Sequence, residues 1–364
     1  MNLEAVVERL GEGHTLALAG LGVGLLFGFL AQRSRFCLRS AVIEFARNLG
    51  GGKLTVWLFA FATAVMATQM LVLAGWLDTG QARQIAARGS LSGAAVGGAL
   101  FGIGMILSRG CASRLLVLAA QGNLRSVLSG LVFAVTALAA WSGVLSPLRL
   151  AISEWWTIDG GAARDLIART GIGHAGALLF GLVWLLAAIR WARTQRVPVW
   201  GWAGAIGVGL AVAAAWWVTF AISKASFEPV AVQSLTFAGP SAEVLSRILV
   251  LSDKPPGFDV GLVPGVFLGS FLAAGLFREL KLEGFAGGAS MRRYLVGAVL
   301  MGFGAMLAGG CAVGAGLSGA SVFTATAWVA LFSMWAAGAI TDRLVDARPS
   351  LHTDQPVPGM HTTA

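Results

Sequence analysis

Apolar residues in this chain come in long runs that charged residues barely interrupt. Charges and turn formers cut the sequence into nine candidate spans, near 15–32, 54–76, 91–108, 125–145, 173–190, 199–222, 260–277, 294–308 and 321–340. A run of about 20 apolar residues is what a helix needs to cross the hydrocarbon layer, and no water-soluble fold needs many of them. Backbone polar groups find no partner in lipid, so spans of this kind are helical. The pattern predicts an all-α polytopic membrane protein with about nine transmembrane helices, a single integral membrane domain over 1–364. No basic segment precedes the first run. Met1 to His14 carries Glu4, Glu8 and Glu12 instead, so no cleavable signal peptide is expected.

Composition agrees. Of 364 residues, 57% are hydrophobic and 12% charged, with a mean hydropathy of +0.78. An average soluble domain is roughly 25% charged. The net charge of +9 does not point to nucleic acid, because the basic residues are scattered through the inter-span loops. With alternating spans and an external N-terminus, 17 Lys and Arg fall on internal segments and 9 on external ones. The positive-inside rule then places the N-terminus outside and the C-terminus in the cytoplasm. Residues 341–364 read as a cytoplasmic tail. Trp76, Trp141, Trp155, Trp156, Trp191, Trp200 and Trp202 fall near predicted span ends, where an aromatic belt belongs.

The chain repeats itself. Val96–Ala112 aligns without gaps on Val296–Ala312, with nine identical positions that end in Gly-Cys-Ala in both copies. Gly22-Val-Gly-Leu25 echoes Gly207-Val-Gly-Leu210 more weakly. Two related halves follow, about 15–145 and 199–340, joined by a linker span over about 146–198. The second copy lies five spans after the first, so it enters the membrane with opposite polarity. That is the signature of an inverted-topology repeat, in which a transported species sits near the midplane between the halves. Gly24 and Gly28, and Gly98 and Gly102, have the spacing of helix-packing glycines.

Only three cysteines are present, Cys37, Cys111 and Cys311, and each closes a Gly-rich apolar run. A single buried Cys usually just fills space. Here two are repeat-related and follow glycine, and the third sits in a similar break. Gly110, Gly309, Gly310 and Gly314 open the backbone around them, which membrane depth tolerates only where protein or water lines the break. Arg35, Arg39, Arg109 and Arg114 flank two of the thiols, as cytoplasmic anchors or as contacts for an anion. An odd count in apolar surroundings argues against a structural disulfide.

Three thiols in a membrane pathway suit a soft metal or a soft sulfur-bearing anion. No Cys-x-x-Cys accompanies them, and His14, His174, His352 and His361 stand elsewhere, so no metal is expected. A thiol is a weak donor that holds a polarizable sulfur without trapping it, while helix N-termini and arginines supply charge complement. There is no P-loop, zinc-protease motif or dinucleotide fingerprint, so neither an enzyme nor a cofactor is expected. The remaining alternative is a membrane thiol or persulfide redox protein.

Arg35-Phe36-Cys37-Leu38-Arg39, Gly110-Cys111-Ala112 and Gly309-Gly310-Cys311-Ala312-Val313-Gly314 resemble the YeeE/YedE family of bacterial thiosulfate transporters. The resemblance covers nearly the whole chain. It implies an inner-membrane protein of hourglass shape, narrowed where short re-entrant helices from the two faces meet. It also implies that Cys37, Cys111 and Cys311 relay thiosulfate, or a related sulfur anion, by S–H hydrogen bonds; the residues around them add Gly110, Gly309, Gly310 and Arg109 as supporting candidates. A separate cytoplasmic sulfurtransferase of the TusA type is the implied partner, besides membrane lipids. The family also holds selenium-linked members, so a selenium compound is the alternative cargo. A second-half counterpart of Cys37 is missing from the sequence. Ser234, Thr236 and Ser241 are the hydrogen-bonding residues downstream of the break at Ala225–Pro229.

Overall fold

The computed structural model describes residues 3–47, 51–249, 255–285 and 288–346, so the predicted tail beyond 346 lies outside the described residues. The first half consists of α1 (Glu12–Ser34), α2 (Leu38–Ala46), α3 (Gly52–Leu73), α4 (Leu91–Leu107), α5 (Ala112–Ala120) and α6 (Leu124–Ser142). A connecting helix, α7 (Gly173–Gln195), precedes the second half. That half holds α8 (Val199–Ala225), α9 (Ala238–Leu249), α10 (Phe258–Leu276), α11 (Gly288–Ala308) and α12 (Ala325–Val345). Between α11 and α12 runs a π-helical segment, Gly314–Gly319. Two short strands, Gly89–Ser90 and Thr157–Ile158, pair antiparallel.

Eight helices among the described residues are long and apolar enough to cross a membrane. The protein is an all-α, multi-pass membrane protein. The ninth predicted span exists as α12, whose 21 residues fall outside those eight. Trp328, Ser333, Trp335 and the buried Asp342 dilute its apolar character. Segments read as loops from sequence, 33–53 and 109–125, contain the short helices α2 and α5.

Glycines set the closest helix contacts. A methyl group at Gly97 on α4 would stand 2.6 Å from the Gly304 carbonyl oxygen on α11, and one at Gly104 would stand 2.5 Å from that of Gly297. Small residues let two backbones approach this closely, and membrane helices use such contacts because hydrophobic burial gives them little drive in lipid. The pairs also fix direction: early α4 meets late α11 and late α4 meets early α11, so these helices run antiparallel. The first helices of the two halves do the same. Gly204 of α8 lies against Ser34 at the end of α1, whereas Glu12 at the start of α1 accepts from the Phe227 N–H at 3.0 Å, just past the end of α8.

Contacts between halves come in crossed pairs. α1 packs on α10 and α8 on α3, while α4 packs on α12 and α11 on α6. Gly98 and Gly102 face the Ala330 and Met334 carbonyls of α12, and Gly302 faces that of Phe133 on α6. Gly24 and Gly28 lie on the α10 backbone. Each half therefore buries its glycine faces against the other, and neither has a separate core.

Ion pairs fasten the end of the molecule where α1, α4 and α12 finish. Arg47 donates two hydrogen bonds to the fully buried carboxylate of Asp342, at 2.7 and 2.8 Å. Arg293 pairs with Asp346 at 2.8 Å, and Arg39 approaches the same carboxylate at 3.7 Å. Glu279 accepts from Gln32 at 2.7 Å and Arg33 at 3.1 Å.

Candidate functional site

One local backbone pattern builds the setting of all three cysteines. Each preceding helix ends in a left-handed residue two positions before the Cys: Arg35 at φ 53°, Arg109 at φ 56° and Gly309 at φ 73°. The next N–H reaches back five residues, from Phe36 to Ala31 (3.2 Å), Gly110 to Met105 (3.2 Å) and Gly310 to Ala305 (3.0 Å). These are Schellman caps, which satisfy the last carbonyls and stop the helix sharply. A left-handed conformation costs an L-residue roughly 1–2 kcal/mol, which Gly309 avoids and Arg35 and Arg109 bear. After the stop the chain restarts as a helix at once. Cys37 is the N-cap of α2 and Cys111 that of α5, while the Ala315 N–H closes a helical turn on the Cys311 carbonyl at 2.8 Å.

Each thiol is thus buried, free and set beside the N-terminal end of a helical segment. Unpaired N–H groups and the positive end of the dipole gather at such ends and favour anions. The structure brings Cys37 and Cys111 close enough for their two side chains to interact. The Cys111 Sγ also lies 3.4 Å from the Ser113 Oγ. Arg39 and Arg114 act electrostatically on Cys37, and Arg39 Nε and Arg114 Nη1 are buried without a hydrogen-bond partner. Arg109 and Arg35, in contrast, are exposed. Arg109 stands 6.0 Å from the centre of the Tyr294 ring, and Arg35 reaches Glu279 at 3.9 Å.

Cys311 stands apart from this pair. Because α4 and α11 are antiparallel, Cys111 and Cys311 follow helix ends that point to opposite faces of the protein. The side chain nearest in kind to the Cys311 Sγ is the Thr236 hydroxyl, at 4.0 Å. Thr236 lies two residues before the N-terminal end of α9, and Cys37 lies directly before α2. Ser318 holds this stretch in place, donating to the Leu235 carbonyl at 2.6 Å and lying 3.3 Å from Ser234 Oγ. Gly314 makes room for it, since a methyl group there would meet Thr236 Oγ1 at 2.5 Å. Sequence reasoning left this position open because the second half replaces the three-residue cap Arg35–Cys37 with the longer stretch 226–237, which has no Schellman stop to align on.

A cavity of about 580 Å³ reaches Gly309 and Gly310, the two residues before Cys311. The backbone from Ala305 to Gly310 and the side chain of Thr236 form part of its wall, and Arg83, Arg88, Arg149 and Arg164 line the rest together with Glu154, Glu243 and Asp259. Two of these carboxylates have basic company of their own: Glu243 pairs with Arg247 at 3.2 Å, and Asp259 interacts with Arg83. The four arginines were invisible as a set in the sequence, being spread over two loops. The arrangement sets a polar, arginine-rich vestibule beside the residues that lead to one buried thiol, with two more thiols close together near the other face. Among the described residues no group of His, Cys, Asp and Glu is placed to hold a metal.

Comparison with known proteins gives the following likenesses. A family model described as "Sulphur transport" matches residues 33–341. The thiosulfate transporter TsuA of Escherichia coli (strain K12) is 27% identical over 337 residues, which cover 88% of this chain and 92% of that protein. The thiosulfate transporter TsuA of Spirochaeta thermophila is 27% identical over 326 residues, 85% of this chain and 93% of its own length.

Proposed function

This chain belongs to the sulphur-transport (YeeE/YedE) family, a family of transporters rather than enzymes, and from that membership we propose that it takes up thiosulfate across the bacterial inner membrane. The observation that carries this reading is the shared setting of the three cysteines: buried, unpaired by disulfides, and each beside a helix N-terminus after a sharp stop. An anion with a terminal sulfur accepts S–H hydrogen bonds from such thiols. Those bonds are weak enough to release it again, as conduction requires. Thr236 and Cys311 receive the ion from the arginine-lined cavity, and the Cys37–Cys111 pair passes it on toward Arg39 and Arg114. Gly110, Gly309 and Gly310 keep the path open to the backbone, and Arg109 serves at the exit rather than beside a thiol.

The antiparallel contacts of α4 with α11 and α1 with α8, with the crossed packing around them, support an inverted-topology repeat of 15–145 and 199–340. In this reading the short helices α2, α5 and α9 are re-entrant, and they narrow the protein to an hourglass. The Cys311 cavity opens to the outside, with the N-terminus external and the C-terminus cytoplasmic. A TusA-type sulfurtransferase receives the sulfur at the cytoplasmic face.

Uptake of thiosulfate labelled at its outer sulfur tests the proposal, in cells without other thiosulfate routes and with sulfate and sulfite as competitors. Wild type takes up label, and Cys37→Ala, Cys111→Ala and Cys311→Ala at equal abundance lose most of it. If all three variants transport normally, the cysteines only pack. If wild type takes up none, a selenium compound or thiol redox chemistry replaces thiosulfate as the reading.

A further inference from the structure

Among the arginines lining the cavity, Arg164 is placed differently from the rest. It belongs to the connection between the halves, outside the spanning helices, and only 8% of it is exposed. Its guanidinium donates to the Ala87 carbonyl and, at 2.7 Å, to the Thr326 Oγ1 at the start of α12. Gly89 lets it lie against the strand, because a methyl group there would stand 2.7 Å from its Cζ. Asp165 beside it caps the following short helix, accepting from the Ile167 N–H at 2.8 Å, and the Arg164 carbonyl accepts from the Ala325 N–H at 2.8 Å. Backbone and side chain are both fixed.

What this clasp holds is a charge without a counter-charge. Among the described residues no carboxylate pairs with Arg164, although Glu243 and Asp259 on the same cavity face other basic groups. Its Nε–H is buried and unpartnered. Burial pulls the guanidinium down to about 10, with no acidic neighbour acting to raise it. Two neutral acceptors do not require an ion here, since a neutral amide makes the same two hydrogen bonds. An unpaired buried charge is costly, and a partner of opposite sign relieves that cost.

We propose that Arg164 selects a doubly charged oxyanion in the cavity, offering its charge and its free Nε–H before the ion meets Thr236 and Cys311. The inference rests on the anion-transport reading above and adds to it a group that discriminates by charge, whereas the thiols discriminate by sulfur. A charge-assisted hydrogen bond contributes about 1.5–3 kcal/mol, so its loss corresponds to a rise in KM of about ten-fold or more.

The test uses the full-length protein in proteoliposomes, comparing labelled thiosulfate uptake by wild type, Arg164→Gln, Arg164→Lys and Thr326→Val. Arg164→Gln raises KM with little change in maximal rate, weakens competition by sulfate in parallel and flattens the dependence on ionic strength. Arg164→Lys is intermediate, because it keeps the charge but not the fixed Nε–H. Thr326→Val, which removes one clasping bond and leaves the ion, keeps a KM near that of wild type. An unchanged KM in Arg164→Gln overturns the proposal, as does a fall in maximal rate alone, which marks a structural role. If Arg164→Gln does not accumulate, Arg164→Lys decides: a raised KM supports the proposal and a wild-type KM overturns it. If wild type transports no thiosulfate, the function reading fails and a second readout decides for Arg164. Thermal stabilisation of the solubilised protein by thiosulfate or sulfate over chloride, lost in Arg164→Gln, supports the site. Equal stabilisation in both proteins, or none in either, overturns it.

Discussion

Cys37 and Cys111, on different spans and far apart in the chain, lie close enough for their thiols to interact inside the protein. Cys311, on the other side of the α4–α11 contact, has a threonine hydroxyl in the corresponding place. Treatment with copper phenanthroline, which oxidises neighbouring thiols, therefore joins Cys37 to Cys111 and leaves Cys311 free. Thiol titration of the unfolded protein then finds one reactive group where the untreated protein has three. Uptake falls with the cross-link and returns with dithiothreitol. A product that still titrates fully after oxidation places the two sulfurs too far apart for the relay.

The Thr236 hydroxyl is expected to matter as a donor rather than as bulk. A neutral hydrogen bond contributes about 0.5–1.5 kcal/mol, so Thr236→Val, which keeps the shape, lowers thiosulfate uptake by about three- to ten-fold. Thr236→Ser keeps the hydroxyl and stays close to wild type. Equal uptake by both variants would assign Thr236 to packing beside Gly314.

Arg47 and Asp342 form an unequal pair, because the carboxylate is fully buried and the guanidinium is one-third exposed. Removing one partner of a buried pair costs about 3–5 kcal/mol when a charge is left without compensation. Arg47→Ala strands the buried charge and destabilises more than Asp342→Ala, which leaves Arg47 with access to water. The double variant recovers part of the loss. Thermal unfolding of the solubilised proteins measures the order, and the reverse order of the single variants contradicts it.

Acid weakens the same region in a definite direction. Arg293 donates to Asp346 and holds its carboxyl below the usual carboxylate range, opposed by burial and assisted by the charges of Arg39 and Arg109. A lowered native pKa stabilises the fold above the ordinary value of about 3.9 and loses that effect as pH falls through the lowered value. Asp346→Asn is therefore less stable than wild type at neutral pH, and the two unfolding temperatures converge in acid. Curves that stay parallel down to low pH show that the pair contributes nothing to stability.

The glycines on α4 differ sharply from Gly22 on α1. Gly97→Leu forces atoms into the α11 backbone, since even its first carbon would lie 2.5 Å from the Ala308 nitrogen. Gly22 has nothing within 4 Å of that position. Gly97→Leu is expected to abolish accumulation in the membrane, whereas Gly22→Ala leaves the protein level unchanged or slightly raised. Membrane-fraction immunoblots with size-exclusion profiles separate the two.

Much of this architecture was legible because hydrocarbon imposes a length on every apolar run. The spans near 54–76, 91–108 and 199–222 correspond to α3, α4 and α8 within a few residues. The three cysteines stood out because one Gly-Cys-Ala motif recurs and the residues around it are otherwise so uniform. Their backbone setting did not, because Arg35 and Arg109 adopt a conformation that composition assigns to glycine. Thr236 could be named only as one of three candidates, and Arg164 was hidden, for another reason. Each acquires its place through partners distant in the chain, Cys311 and Ser318 for one, Ala87 and Thr326 for the other. No spacing rule connects a residue in a long linker to the start of the last helix.

The contact between Gly97 and Gly304, mirrored by Gly104 and Gly297, has a mechanical consequence. Backbones pressed together without intervening side chains have no lubricating layer, so tilting one half against the other would have to break this seam and the still closer one between α1 and α10. Those seams are the fixed axle of the protein. That leaves the short helices behind the cysteines as the parts expected to move, by shifts of a few turns rather than by a rocking of the halves.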